Sequence, residues 1–438
     1  MTTKTKKMSV LQLTIITFIN MAGSGIIMLP AKLAQVGTMS ILSWVVTAVG
    51  ALCLAYVFAK CGRFSKRPGG MNGYASYAFG DSGAFLTGWT YAISLIIANT
   101  AIALTAVGYA QAFLGMNNPS AFGTAVATII LLWACSIANF AGPKVTGRLG
   151  SITVWGVLLP VCGISLIGWF WFHPHLYTSS WNPHHMAFLS GVSASIAMTL
   201  WAFLGLESAC ANSDAVDNPE KNVPIAVLGG TLFAALVYIV STNVCAGIVP
   251  NALLAASTAP FSLVWNTILG TTFGKIVAAL AVVSCIGSLL GWQFTIAAVF
   301  KQSADEGYFP KFLSKTNRFT APVAAMIFIT IIQTILALMT ASPSLMNQFT
   351  MLVNLAVVTN LVPYLLCMAA IFVIQRYEKL PKTEIKTTNI LALISSIYSL
   401  YALYSCGAEV VMWGAIVIFF GWTMYGLIAY KYDKNLTL

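Results

Sequence analysis

No Asp, Glu, Lys or Arg occurs in residues 82–143, 149–206, 222–274 or 319–375, and further charge-free runs cover 9–31, 33–59, 276–300, 387–408 and 410–430. A helix crosses the hydrocarbon core of a bilayer with about 20 mostly apolar residues. Runs this long and this numerous leave little else for the chain to be. The composition agrees: 58% of the 438 residues are hydrophobic and 8% charged, against about 45–50% and about 25% in soluble domains. A cytosolic enzyme, a disulfide-stapled secreted domain and a nucleic-acid-binding domain are excluded. The net charge of +11 does not reinstate the last, because the basic residues follow a membrane pattern.

Several runs exceed one crossing and contain turn chemistry. Gly115-Met116-Asn117-Asn118-Pro119-Ser120 divides one, the stretch from His173-Pro174 to Pro183-His184-His185 a second, and Ala341-Ser342-Pro343-Ser344 a third. In 222–274 one span reaches about Val249 and a Pro- and Ala-rich loop follows. The result is twelve spans, at 9–30, 39–60, 84–114, 121–142, 149–171, 188–211, 223–249, 275–300, 321–341, 347–374, 388–406 and 409–430. Of the 22 Lys and Arg residues, all but Lys32 and Lys275 then fall on one side. The positive-inside rule makes that side the cytoplasm and puts both termini there. The runs are helical in length and lack the alternation of a membrane β-barrel. The first has no A-x-A site after it and is expected to remain as span 1.

Two spans carry a weak point at mid-depth. Span 1 contains Gly23-Ser24-Gly25, and span 6 contains Gly205 two residues before Glu207. A break in lipid survives only where it is buried in protein or lines a cavity. If spans 1–5 and 6–10 are inverted halves, the two weak points match, which is the pattern of a midplane transporter site. Close helix packing through small residues is the alternative for the glycines.

Glu207 is the only acidic residue inside a span; the other ten lie in loops or at span ends. A carboxylate at that depth marks a substrate or proton site, or else is protonated and bridges helices. Trp201, Trp292, Trp422 and Tyr425 could offer ring faces to an ammonium, or simply pack. Asn99, in span 3, could bond a substrate amine or bridge helices. The four histidines share one external loop broken by Pro174 and Pro183, and read as solvated. The nine cysteines have no C-x-x-C spacing and read as reduced core residues. No hydrolytic or nucleotide-binding signature occurs, which weighs against an enzyme, and Gly breaks with one buried acid favour a carrier over a channel.

The stretch Met21-Ala22-Gly23-Ser24-Gly25-Ile26-Ile27-Met28-Leu29-Pro30 resembles the first helix of the amino acid/polyamine/organocation (APC) transporters. Pro68-Gly69-Gly70-Met71-Asn72-Gly73-Tyr74 is similar to their loop after span 2. Trp201 through Asn212, followed by Asn218-Pro219-Glu220-Lys221-Asn222-Val223-Pro224, is similar to their sixth helix and the loop after it. Gly287 through Thr295 and Asp305 through Pro310 extend the likeness to the basic amino acid/polyamine antiporters, nearly end to end.

The resemblance implies an all-α integral membrane protein with a LeuT-like five-plus-five inverted repeat of broken helices 1 and 6. The repeats cover about 9–171 and 188–374, with two extra helices at 388–430. It implies exchange of putrescine for ornithine across a bacterial inner membrane, with proton-coupled putrescine uptake as a second mode. Cadaverine–lysine and agmatine–arginine exchange are the sibling alternatives. Glu207, Trp201, Trp292 and Tyr425 would contact the polyamine. The Gly23-Ser24-Gly25 backbone would receive ornithine's carboxylate. Cys61 would be tied to uptake, and Lys301 and Tyr308 to exchange. Ser76 stands where close relatives carry glutamate, and Lys221 where they commonly carry arginine. No cofactor and no nucleic-acid partner are implied.

Overall fold

The computed structural model describes residues 9–22, 25–67, 69–116, 119–142, 152–207, 218–305, 307, 309–342, 344–380 and 382–429. Among these residues all regular structure is helical. The principal helices are α1 (Val10–Met21), α2 (Leu29–Ala34), α3 (Ser40–Phe64), α4 (Met71–Leu114), α5 (Ala121–Asn139), α6 (Trp155–Ile167), α7 (Phe188–Trp201), α8 (Pro219–Ile248), α9 (Thr271–Asp305), α10 (Val323–Met339), α11 (Leu345–Tyr377), α12 (Lys382–Ser405) and α13 (Ala408–Ala429). Helices α3, α4, α5, α8, α9, α11 and α13 are long and apolar enough to cross a membrane; α1, α6, α7 and α10 are shorter apolar helices. Together with α12 they overlie the twelve expected spans one for one, with α2 at the end of the first.

The burial pattern is that of a protein solvated by lipid. Leu166, Phe170, Phe122, Phe419 and Ile397 are exposed large apolar side chains, while Thr17, Ser43, Thr47, Thr90, Asn139 and Gln333 are buried. Water would penalise that outer face. Inside, many polar groups find a partner at close range: Ser43 donates to the Val192 carbonyl at 2.7 Å and Ser94 to the Ala356 carbonyl at 2.8 Å. The long helices α4 and α11 pack along each other through the centre, and α9 lies against α4.

Several helix ends lie beyond the expected spans. Helix α4 starts at Met71 and turns sharply at Gly80, where φ is +62°. Helix α9 runs from Thr271 to Asp305 and α11 to Tyr377. Counting charges stops a span at the first ion, whereas a helix continues past the lipid once water or an ion pair can hold its charges. Lys301 and Asp305 do so on α9, at 2.5 Å and four residues apart. The loop expected after Val249 also contains short helices, Asn251–Ala255 and Pro260–Leu269.

On the face that carries the basic loops, α3, α4 and α11 are tied by one cluster. Lys66 Nζ lies 2.6 Å from Glu378 Oε2, and the Tyr77 hydroxyl donates to Glu378 Oε1 at 3.0 Å. The Arg67 guanidinium sits 4.1 Å from the Tyr77 ring centroid. The Lys66 ammonium, followed by the Tyr77 hydroxyl, holds the Glu378 carboxyl below the usual carboxylate range. A lowered carboxyl pKa stabilises the fold above the usual glutamate value, and the contribution disappears as pH falls through the lowered one. Glu378→Gln should therefore lower the unfolding midpoint of the detergent-solubilised protein at neutral pH. The difference should vanish once acid protonates Glu378 in the parent, as followed by intrinsic fluorescence.

Candidate substrate site

Helix α1 ends at Met21, where the Ala22 N–H still bonds the Phe18 carbonyl, and helical structure resumes at Leu29. Between them the Ile27 carbonyl accepts from the buried Tyr109 hydroxyl at 2.7 Å. Helix α7 likewise stops at Trp201, and the chain continues in single turns to Glu207. Gly205 makes this second break possible. Its φ is +105°, and a Cβ there would lie 3.1 Å from the Asn20 carbonyl oxygen. The described parts of both breaks are thus enclosed in protein, as lipid requires.

The two breaks face each other across a cavity of about 60 Å³, several times the space one water needs. Gly25 comes from the first break, and Trp201, Leu204, Gly205 and Glu207 from the second. Tyr91 and Asn99 come from α4, Trp292 from α9 and Asn360 from α11. Glu207 is buried, with a relative exposure of 7%. Three donors hold its carboxylate: the Tyr91 hydroxyl at 2.9 Å, the Tyr364 hydroxyl at 2.5 Å and the Gly205 N–H at 3.2 Å. The Trp201 indole packs on Gly25, and its Nε1 is buried without a hydrogen-bond partner among the described residues. The cavity thus combines one carboxylate, two tryptophans and several amides, which is the chemistry of a small organic cation site.

Over residues 8–428 the sequence matches the amino acid permease family. The chain belongs to that family. The putrescine transporter PotE of Escherichia coli strain K12 is 60% identical over 434 residues, covering 99% of this chain and 98% of that protein. The Haemophilus influenzae transporter of the same name is 58% identical over 433 residues, covering 99% of each. The cadaverine/lysine antiporter of E. coli strain K12 is 34% identical over 368 residues, or 82% of each chain. A permease moves its substrate unchanged, so no bond-breaking chemistry is required of the site.

Of the residues singled out in the sequence, the permease brings Glu207, Trp201, Trp292, Asn99 and Gly25 together around one cavity. Gly23, Ser24 and Tyr308 lie outside the described residues. Tyr425 does not line this cavity. Its ring sits 5.3 Å from that of Phe85, which lines a wider cavity of about 360 Å³ nearer the basic face, with Ser76, Asp81 and Gln302. Trp422 is 49% exposed on the outer surface, with its ring 5.9 Å from Phe419. Trp422 and Tyr425 lie three residues apart on α13, and Tyr425 is the less exposed of the two. Cys61 is buried at the end of α3, its Sγ 4.0 Å from the Cys367 carbonyl. Lys301 is paired with Asp305.

Tyr91, Tyr364 and Asn360 were not legible as site residues. The chain has 16 tyrosines, and nothing local distinguishes these two; only the packing of α4 and α11 around the second break brings them to Glu207. Gly205→Ala should cost about 1–3 kcal/mol, from backbone strain and the close carbonyl. Thermal unfolding of the purified variant measures this, and a midpoint equal to the parent's would show that the backbone relaxes freely there.

Proposed function

We propose that the chain exchanges putrescine for ornithine across a bacterial inner membrane and also takes up putrescine with a proton. The observation that carries this reading is Glu207, the carboxylate placed between two helix breaks and beside Trp201 and Trp292. The full-length likeness to putrescine transporters supports it. The side bearing the basic loops is then the cytoplasm, with both termini on it. The helices before and after His173–His185 form the two inverted halves, and α12 and α13 are additions.

A diamine ammonium competes with Tyr91 and Tyr364 for the Glu207 oxygens. Tyr91 stands on α4, Tyr364 on α11 and Glu207 in the break after α7. Exchanging phenols for an ammonium therefore loosens three elements at once, which couples binding to reorientation. A proton on Glu207 competes with the ammonium for the same site and serves the uptake mode. Ornithine adds a carboxylate, for which the backbone N–H groups of the first break, next to Gly25, are the receptor.

Counterflow in proteoliposomes loaded with ornithine tests the assignment, with labelled putrescine outside. Putrescine should enter faster than cadaverine or agmatine. Because cadaverine differs by one methylene, a preference of about 1–3 kcal/mol is the range an apolar pocket supplies. Glu207→Gln should lower uptake at least about tenfold through loss of a buried charge-assisted bond; near-normal transport by that variant would refute the role. Lys301 lies roughly 13 Å along α9 from Trp292, too far to share one small substrate with it. Lys301→Ala should slow ornithine-driven exchange more than proton-driven uptake. Equal losses in both modes would make the Lys301–Asp305 pair a helix-end anchor.

A further inference from the structure

Beside the cavity, five buried polar side chains from four helices form one network: Asn99 on α4, Ser136 on α5, Gln293 on α9, and Thr330 and Gln333 on α10. The direction of its hydrogen bonds follows from one end. Thr330 donates its single hydroxyl hydrogen to the Met326 carbonyl at 2.8 Å, a group that can only accept. Ser136, bonded to the Thr330 hydroxyl, must then be the donor between them. With its hydrogen committed, Ser136 Oγ accepts from Gln293 Nε2 at 2.9 Å. That turns the Gln293 carbonyl oxygen the other way, where Asn99 Nδ2 donates to it at 2.6 Å and Gln333 Nε2 at 3.0 Å. Gln333 is oriented the same way by the Ile96 carbonyl, 3.5 Å from its Nε2.

The consequence falls on Asn99. Its amide nitrogen is committed to the network, its exposure is 1%, and its Oδ1 has no hydrogen-bond partner among the described residues. Asn99 also lines the cavity that holds Glu207. We propose that Gln293 is a positioning residue that fixes the Asn99 amide with its oxygen toward the substrate, making it the acceptor for the second ammonium of a diamine. This rests on the diamine reading of the site. Tyr91, whose hydroxyl marks the Glu207 end, and Asn99 are eight residues apart on α4, roughly 12 Å along its axis. That is of the order spanned by an extended four-carbon diamine with a hydrogen bond of about 2.9 Å at each end. Both polar ends of the cavity are then acceptors, which suits two ammoniums and disfavours a carboxylate at the Asn99 end. A flipped amide would present a donor there and repel the second charge.

The test compares two competitors of labelled putrescine uptake in proteoliposomes: unlabelled putrescine, and butylamine, the same four-carbon chain with one ammonium. The parent protein should prefer the diamine. Asn99→Ala and Gln293→Leu should each reduce that preference about tenfold while leaving inhibition by butylamine unchanged. A lesion that merely loosens the helices moves both competitors together. The double variant should be no worse than either single one, since Gln293 acts through Asn99. Gln293→Glu keeps an acceptor toward Asn99 and should retain the preference. An undiminished preference in Asn99→Ala, its loss in Gln293→Glu, or multiplicative losses in the double variant would each overturn the assignment. If the parent itself does not take up putrescine, the transport reading fails and this inference with it. If it does, an unchanged ratio in Asn99→Ala refutes this inference alone.

Discussion

A peptide N–H or C=O without a partner costs several kcal/mol in hydrocarbon, and the rest of this structure follows from that penalty. It makes the described chain all helical. It also decides where the helices can stop. The break after α1 and the break after α7 occur at the middle of the protein, where side chains replace the lost helical bonds: Tyr109 serves the Ile27 carbonyl, and the Glu207 carboxylate accepts from the Gly205 N–H. A break facing lipid would have no such substitutes.

The same penalty concentrates chemistry in one place. Broken helices leave a gap that other helices cannot fill, and the gap becomes a cavity lined by the few polar groups the interior tolerates. Glu207 is held there by phenols from α4 and α11, the helices that run through the centre of the bundle. Its environment is therefore built from elements that must shift relative to one another if access is to alternate between the two sides. The tryptophans give the cavity a surface that is apolar to an alkyl chain and attractive to its charged ends.

The ends of the helices obey a different balance. At the basic face the chain meets water, and charged groups are again affordable. Lys66, Tyr77 and Glu378 join three helices there, and Lys301 with Asp305 caps the extension of α9. These contacts lie in a polar medium and are individually weak. Several converge on the loop between α3 and α4, beside the wider cavity that Ser76 and Phe85 help to line.

Much of this was legible in the residues alone, because a membrane acts on sequence directly. Charge-free length determines where helices cross, the Lys and Arg distribution determines which loops share a side, and Gly205 beside Glu207 marks a break with a buried carboxylate. The meeting of Trp201, Trp292, Asn99 and Glu207 is also consistent with each of them lying within a span. What the sequence could not decide was which of many similar residues turn inward. Trp422 and Tyr425 share a helix with little contrast between its faces, and one points out to lipid while the other packs on Phe85. Tyr91 and Tyr364 read like any other membrane tyrosine. The orientation of the Asn99 amide depends on a carbonyl of Met326, more than two hundred residues away in the chain. Hydropathy depends on composition along one helix, and so it is written locally. Side-chain direction and hydrogen-bond polarity depend on neighbours from other helices, and only the packed bundle supplies those.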